Sequence, residues 1–418
     1  MRISKSGAVL LLSLVLLAFP LVSGFGGGQA EADGVEIDFL TLFSGGEGAI
    51  VGNLISNFND QDYGITVSEI PVEWEEYYTR LMTSVLADDP PDVGVMHLAL
   101  LPDYVEAGVV QPVGQFVPDG FSDSIQAHIV EAATFNGDLY AIPIDTHPLV
   151  LYYNETVLRE AGLEDDNGDV LVPTTWDELI EYGIQIREET GRHGVGYAGT
   201  DAAFGERSFI AVYHQLGGQL YNPQTGRLEL DEQLATETYQ QLMRVFDEGL
   251  TEGPADYEET NSLFMADDMG FLLNGVWTMA LYPDEVEAFG VTEFPLVAGD
   301  VHYTWADSHA LVLPTQRDDS RVESAARFAT WFSENSLAWA EAGHLPVNVD
   351  VLSSSDFLNM NMREDYLGAG ENAILAPSVE GWESLREEMS EIGELLILGE
   401  YTPDEAAAAL AAEIDSRE

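Results

Sequence analysis

The stretch Ala141-Ile142-Pro143-Ile144-Asp145-Thr146-His147-Pro148 sets a carboxylate and an imidazole two residues apart, with a proline on either side. Each proline fixes its own φ near −65°, so the backbone carrying Asp145 and His147 is stiffened before any tertiary contact forms. An ionised Asp only accepts hydrogen bonds, whereas a neutral imidazole donates from one ring nitrogen and accepts at the other. The pair can therefore hold a polar ligand from both sides of the donor–acceptor divide. Further Trp and His residues fall at turns beside apolar runs. His97 follows Val93-Gly94-Val95-Met96, Trp277 follows Asn274-Gly275-Val276, Trp305 and His309 flank Ala306-Asp307-Ser308, and His344 stands in Gly343-His344-Leu345-Pro346. Taken singly, each of these rings fits a packed core as well as a binding site. Their recurrence at strand ends is what points to a polar, aromatic cleft.

Catalysis would leave other marks. The chain has no His-Glu-x-x-His, no Gly-x-Ser-x-Gly, no Gly-rich phosphate loop and no cysteine, so it shows no familiar nucleophile or metal motif, and its many acids make no carboxylate pair for glycoside hydrolysis stand out. No cofactor, metal or catalytic residue is expected. Asp165-Asp166-Asn167-Gly168-Asp169 places oxygens at the first, third and fifth positions of a calcium loop, but Val170 stands where the tight turn requires Gly and Trp176 where a bidentate Glu belongs. An exposed turn is the expectation there.

The elements that would position the cleft alternate between strand and helix. Strands are expected near 35–40, 65–70, 92–96, 149–153, 269–273, 294–297 and 310–313. Helices are expected after the turn Phe43-Ser44-Gly45-Gly46-Glu47-Gly48 and over 74–86, 98–107, 209–216, 234–246, 324–332, 382–398 and 403–414. Thr175 and Glu178 form a capping-box pair at the start of another helix. Such alternation predicts an α/β fold, with two lobes each built on a mainly parallel sheet flanked by helices, and a ligand site where strand ends face the space between them.

Composition sets the surroundings of that site. Arg2 and Lys5 precede an apolar run from Ala8 to Val22, and Ala30-Glu31-Ala32 ends the segment as a small-x-small cleavage site. Residues 1–32 read as a signal peptide, the run being shorter than the about 20 residues that span a bilayer. With no Cys to carry a lipid, a freely diffusing protein of the periplasm is expected. The formal net charge is −59, and Lys5 is the only lysine. A polyanion of this kind repels nucleic acid and anionic lipid. Its acids are spread along the whole chain, which suits a surface adapted to high salt.

Several ordered motifs resemble one family. They are Pro91-Asp92-Val93, Glu106-Ala107-Gly108-Val109-Val110-Gln111-Pro112, Phe135-Asn136-Gly137-Asp138-Leu139-Tyr140-Ala141-Ile142-Pro143, Leu151-Tyr152-Tyr153-Asn154, Pro173-Thr174-Thr175-Trp176-Asp177-Glu178-Leu179 and Asn274-Gly275-Val276-Trp277. Together they resemble the extracellular solute-binding proteins of ATP-driven sugar importers, the group that includes maltose-binding protein. The resemblance implies two lobes joined by three crossings, residues 33–144 with 295–332 forming one lobe and 145–294 with 333–418 the other. It implies a monomeric receptor that closes on a sugar and delivers it to the permease subunits of an ABC transporter. A receptor for a peptide, polyamine or other organic solute is the alternative, and a secreted carbohydrate-active hydrolase a more remote one. In this setting Asp145 would accept hydrogen bonds from vicinal sugar hydroxyls beside His147, and Trp277 and Trp382 would stack on sugar faces. Glu47, His97, Arg207, Trp305, His309 and His344 would complete the ligand site, while Trp176 would pack its own helix.

Overall fold

The computed structural model describes residues 34–197, 203–222, 224–251, 255–282, 288–316 and 318–417. The expected signal segment lies outside the described residues. Among those residues no helix is long and apolar enough to cross a membrane.

Two sheets organise the chain. In the first, Val35–Thr41 lies between Ile65–Pro71 and Val93–His97, all parallel, and His309–Pro314 joins antiparallel to Val93–His97 and carries Val110–Gln111 and Ala141–Pro143 on its other flank. In the second, Asp145–Asn154 is the central strand. Met269–Gly275, Phe289–Glu293, Thr304–Asp307 and Leu345–Pro346 all pair with it antiparallel, and the sheet extends through His193–Tyr197 and Ala373–Leu375. The structure is thus the expected two-lobed α/β fold, although the second sheet is mixed, because its longest strand runs against its neighbours.

The passages between sheets are short. Ala141–Pro143 and Asp145–Asn154 are separated by Ile144 alone, and Thr304–Asp307 and His309–Pro314 by Ser308 alone. These two crossings lie side by side, since Asp307 pairs with His147 and the Ile144 N–H donates to the His309 carbonyl at 2.9 Å. The third crossing enters at Leu345–Pro346, which pairs with Thr146 and Asp145. The return to the first sheet had been expected at residue 295. Thr304–Asp307 still pairs within the second sheet, so strand membership changes at Ser308 instead.

Local sequence explains most element ends. Thr175 accepts from the Glu178 N–H and Glu178 reaches back to the Thr175 N–H, so the helix Trp176–Thr190 opens on the expected capping box. Trp176 is buried, stacks on Phe294 and donates its indole N–H to the Gln241 carbonyl at 3.0 Å, a packing role as anticipated. Helices at Phe209–Gln215, Glu232–Asp247, Asp319–Glu334, Trp382–Ile397 and Pro403–Ser416 match expectation within a few residues at their ends. The acidic loop is a turn in which Asp165 Oδ1 accepts from the N–H groups of Asn167 and Asp169.

Other expectations shift. The strand placed at 294–297 is Phe289–Glu293. Pro295 lacks the N–H a ladder needs, and Leu296 makes only an isolated parallel bridge to Thr175. The strand expected at 149–153 starts earlier, at Asp145, because the Pro-flanked segment pairs with Thr304–Asp307 and Leu345–Pro346. The helix expected over 98–107 divides into a 3-10 turn Leu98–Leu100 and a helix Leu101–Glu106, with Pro102 in its first turn.

With 74 acidic against 15 basic side chains, self-repulsion opposes folding in dilute buffer. Molar salt shortens the Debye length to about 3 Å. The melting temperature is expected to rise by roughly 5 °C or more between dilute buffer and molar sodium chloride. A flat profile in a scanning melt would show that the acid load carries no adaptation to salt.

Candidate functional site

Asp145 opens the central strand of the second sheet directly after Ile144, and its side chain is fully buried. Oδ1 accepts from the His309 backbone N–H at 2.9 Å and lies 3.0 Å from His147 Nδ1. Oδ2 accepts from the Trp339 indole N–H at 2.6 Å and lies 2.8 Å from His309 Nδ1. A carboxylate only accepts, so both of these imidazoles carry a proton on Nδ1. With four donors on two oxygens, Asp145 has little capacity left for sugar hydroxyls. The expected hydroxyl acceptor is instead the organiser of the rings around it.

Those rings are packed on one another. The imidazoles of His147 and His309 lie 4.1 Å apart at 30°, and His97 stands 4.5 Å from His309. The Tyr78 oxygen accepts from the His97 backbone N–H at 3.1 Å and is hydrogen-bonded to its Nδ1 at 2.6 Å. His344 follows Gly343, whose φ of 104° favours glycine and where a Cβ would lie 2.1 Å from the Val276 carbonyl oxygen. The His344 ring stacks on Trp339 at 4.5 Å and 9°, and its Nε2 lies 2.7 Å from Glu47 Oε1.

Burial and mutual contact set the charges. Burial alone would raise the Asp145 carboxyl, but the imidazoles of His309 and His344 hold it well below the usual carboxylate range. Burial, reinforced by His309, pushes His147 down to about 3. His97 is driven well below the usual histidine range by burial and then by His309 and His147. Burial opposes a charge on His309 too, yet the Asp145 carboxylate outweighs it and raises the ring. The Asp145 anion thus favours the proton on His309 beside two rings, His147 and His97, that favour the neutral state. Next to them the carboxyl of Asp307 is pushed up to about 7 by burial.

An aromatic wall closes one side. Asn274 Oδ1 accepts from the Gly275 N–H at 2.8 Å, and the Trp277 ring folds back over Gly275 so closely that a Cβ there would come within 1.8 Å of it. The guanidinium of Arg207 lies 5.0 Å from the Trp277 ring and 5.1 Å from that of Trp305, a cation–π arrangement with both. His147 stands 5.7 Å from Trp277 and 6.0 Å from Trp305. From the first lobe, the more exposed Trp74 sits edge-on to His97 at 5.1 Å.

A continuous chain of contacts therefore joins Glu47, His344, Asp145, His147, His309, His97, Trp277, Trp305 and Arg207. Trp382 does not share in it. That indole is fully buried at the start of the helix Trp382–Ile397, and no ring contact or hydrogen bond to the other nine is found among the described residues. Sequence reasoning passed over Trp339, Tyr78, Trp74 and Asp307. Tyr78 falls within the helix expected over 74–86 and reads as core, and Trp339 stands in no expected element or motif, whereas Asp307 lay in a quoted strand-end motif and could have been singled out.

With this geometry in hand, residues 53–362 match the family of bacterial extracellular solute-binding proteins. The chain belongs to that family. A Brucella abortus binding protein is 23% identical and aligns with 100% of this chain and 99% of its own. The arabinooligosaccharide-binding protein of Bacillus subtilis is 22% identical over 88% of this chain and 86% of its own. Among solved structures, the GacH receptor of Streptomyces glaucescens superposes with a TM-score of 0.81 at 20% identity, covering 92% of this chain and 98% of that one. This solute-binding protein therefore shares the two-lobed fold of a receptor whose structure was also determined in complex with acarbose.

Proposed function

We propose that this solute-binding protein is a carbohydrate receptor that closes two lobes on an oligosaccharide and presents it to an ABC-type permease. The observation that carries the reading is the meeting of Trp277, Trp305 and Arg207 from the second lobe with His97 and Trp74 from the first, around imidazoles whose protons are fixed. Indole faces cover the apolar side of a pyranose ring, and nearby nitrogens serve its hydroxyls. Relatives that bind maltotriose in Pyrococcus abyssi and arabinooligosaccharides in Bacillus subtilis support the same ligand class. His97, His147, His309 and Trp305 are all buried, at 7%, 2%, 5% and 3% exposure. Entry of a sugar therefore requires the lobes to part and then shut again.

A thermal-shift series in molar salt, with maltotriose, arabino-oligosaccharides, peptides and polyamines as separate arms, tests the proposal. A ligand that binds only the folded state raises the melting temperature by mass action. Stabilisation by an oligosaccharide is expected. Stabilisation by a peptide or polyamine alone would assign the cleft to another solute, and release of shortened products would assign it to hydrolysis.

A further inference from the structure

Asp145, His147, His309 and His344 are brought to one point, each with a ligand atom within 4.8 Å of the others and each buried. From the Asp145 carboxylate the separations are 3.0 Å to His147 Nδ1, 2.8 Å to His309 Nδ1 and 3.5 Å to His344 Nδ1. A tetrahedral ion with bonds of about 2.0–2.1 Å has donor–donor edges of about 3.3–3.4 Å. The two edges to Oδ2, from His309 and His344, thus need to change by only about half an ångström, while His147, which faces Oδ1, joins the same ion by ring rotation or through a carboxylate that binds with both oxygens.

His344 separates this cluster from an ordinary buried ion pair. Its Nε2 lies 2.7 Å from Glu47 Oε1, and a carboxylate only accepts, so Nε2 carries a proton. Its Nδ1 is buried with no hydrogen-bond partner among the described residues. Nδ1 faces Asp145 Oδ2 across 3.5 Å, longer than the usual N–H···O range, and a cation set between them would be held from both sides. Glu47 behind His344 is also the outer-shell carboxylate that orients a metal-bound imidazole and raises its basicity. The Trp339 indole and the His309 backbone N–H hold the Asp145 carboxylate in place in the same way.

We propose that Asp145, His147, His309 and His344 bind one divalent transition-metal ion of the zinc class. Three imidazoles and one carboxylate suit zinc, cobalt or nickel, whereas calcium and magnesium take oxygen donors. The sequence reading expected no metal, because these four residues share no compact motif. On binding, each ring gives up its Nδ1 proton, a neutral ring keeping one by taking it up on Nε2 and a doubly protonated ring releasing one to solvent, and the ion takes their place beside the carboxylate. It ties together the starts of strands in both sheets and the third crossing, and so acts as a pin through the hinge. This inference does not depend on the nature of the solute.

The test uses mature protein stripped with a chelator, then titrated without sugar in molar sodium chloride and excess magnesium, which occupies surface carboxylates. Zinc is expected to bind at one ion per chain with micromolar or tighter affinity and to raise the melting temperature by several degrees. Cobalt is expected to show the intense visible bands of a tetrahedral, nitrogen-ligated ion. H344Q keeps a donor for Glu47 but removes Nδ1, and should weaken zinc at least about 100-fold. E47Q, which alters only the outer shell, should weaken it about 10- to 100-fold and serves if H344Q does not fold. H128Q, at an exposed helical position, should leave binding unchanged. Absence of zinc and cobalt binding in folded wild-type protein overturns the proposal, and so does binding that H344Q and E47Q leave intact.

Discussion

Asp145→Asn is expected to lower the unfolding free energy by about 3–5 kcal/mol, the cost of removing one partner from a buried ionic network. Its carboxylate collects the Trp339 indole N–H, the His309 backbone N–H and two imidazole nitrogens. Asn keeps the size of the side chain but replaces one acceptor with an NH2 group that faces donors. The raised affinity of His309 for its proton also loses its main cause, since the Asp145 carboxylate supplies it. Asp177→Asn is the control. Asp177 is 84% exposed and pairs with Arg244 at 2.7 Å, so its loss should cost within about 1 kcal/mol. Urea denaturation of both variants at one salt concentration checks the contrast. Equal midpoints would mean that the network around Asp145 contributes no more than a surface pair.

Trp277→Ala is expected to weaken the sugar ligand by about 30-fold or more, as loss of an aromatic hot spot worth at least about 2 kcal/mol does. The Trp277 ring is only partly buried, touches Arg207 and His147, and packs over Gly275, a position with no side chain of its own. Its removal should therefore disturb the cleft more than the core, and the melting temperature without ligand should move little. Calorimetric titration with the oligosaccharide identified by thermal shift supplies the number. Unchanged affinity would return Trp277 to a packing role.

The fold was legible because it rests on local signals. Strand and helix periodicity, the Thr175–Glu178 cap and the order of the motifs each act within a few residues, so they survive in a linear reading. The candidate site was legible only as an inventory. His97, His147, His309 and His344 could be picked out at strand ends, but the gathering of His147, His309 and His344 around Asp145 arises from contacts between distant segments, 164 residues apart for His309. The family resemblance set Asp145 against the ligand, and its flanking prolines stiffen the backbone that carries it. That rigidity instead carries a strand from one sheet to the next, with the carboxylate pointing inward. Trp339 escaped notice because it stands in no motif or expected element of the sequence. Its indole N–H, which gives it a polar task, becomes visible only once Asp145 is in place. The boundary at Ser308 was missed for a similar reason, since a one-residue change of sheet leaves no gap in the apolar pattern.

The crossings at Ile144 and Ser308 lie within three residues of Asp145, His147, Trp305 and His309. When one body rotates against another, each atom travels in proportion to its distance from the axis. If the lobes swing about this paired ribbon, the side chains beside it sit at the fulcrum and scarcely travel, while residues farther out on each lobe sweep through the larger arcs. The mouth can then gape while the floor keeps its spacing. An incoming solute would meet an already assembled base and supply only the work of drawing in the rim.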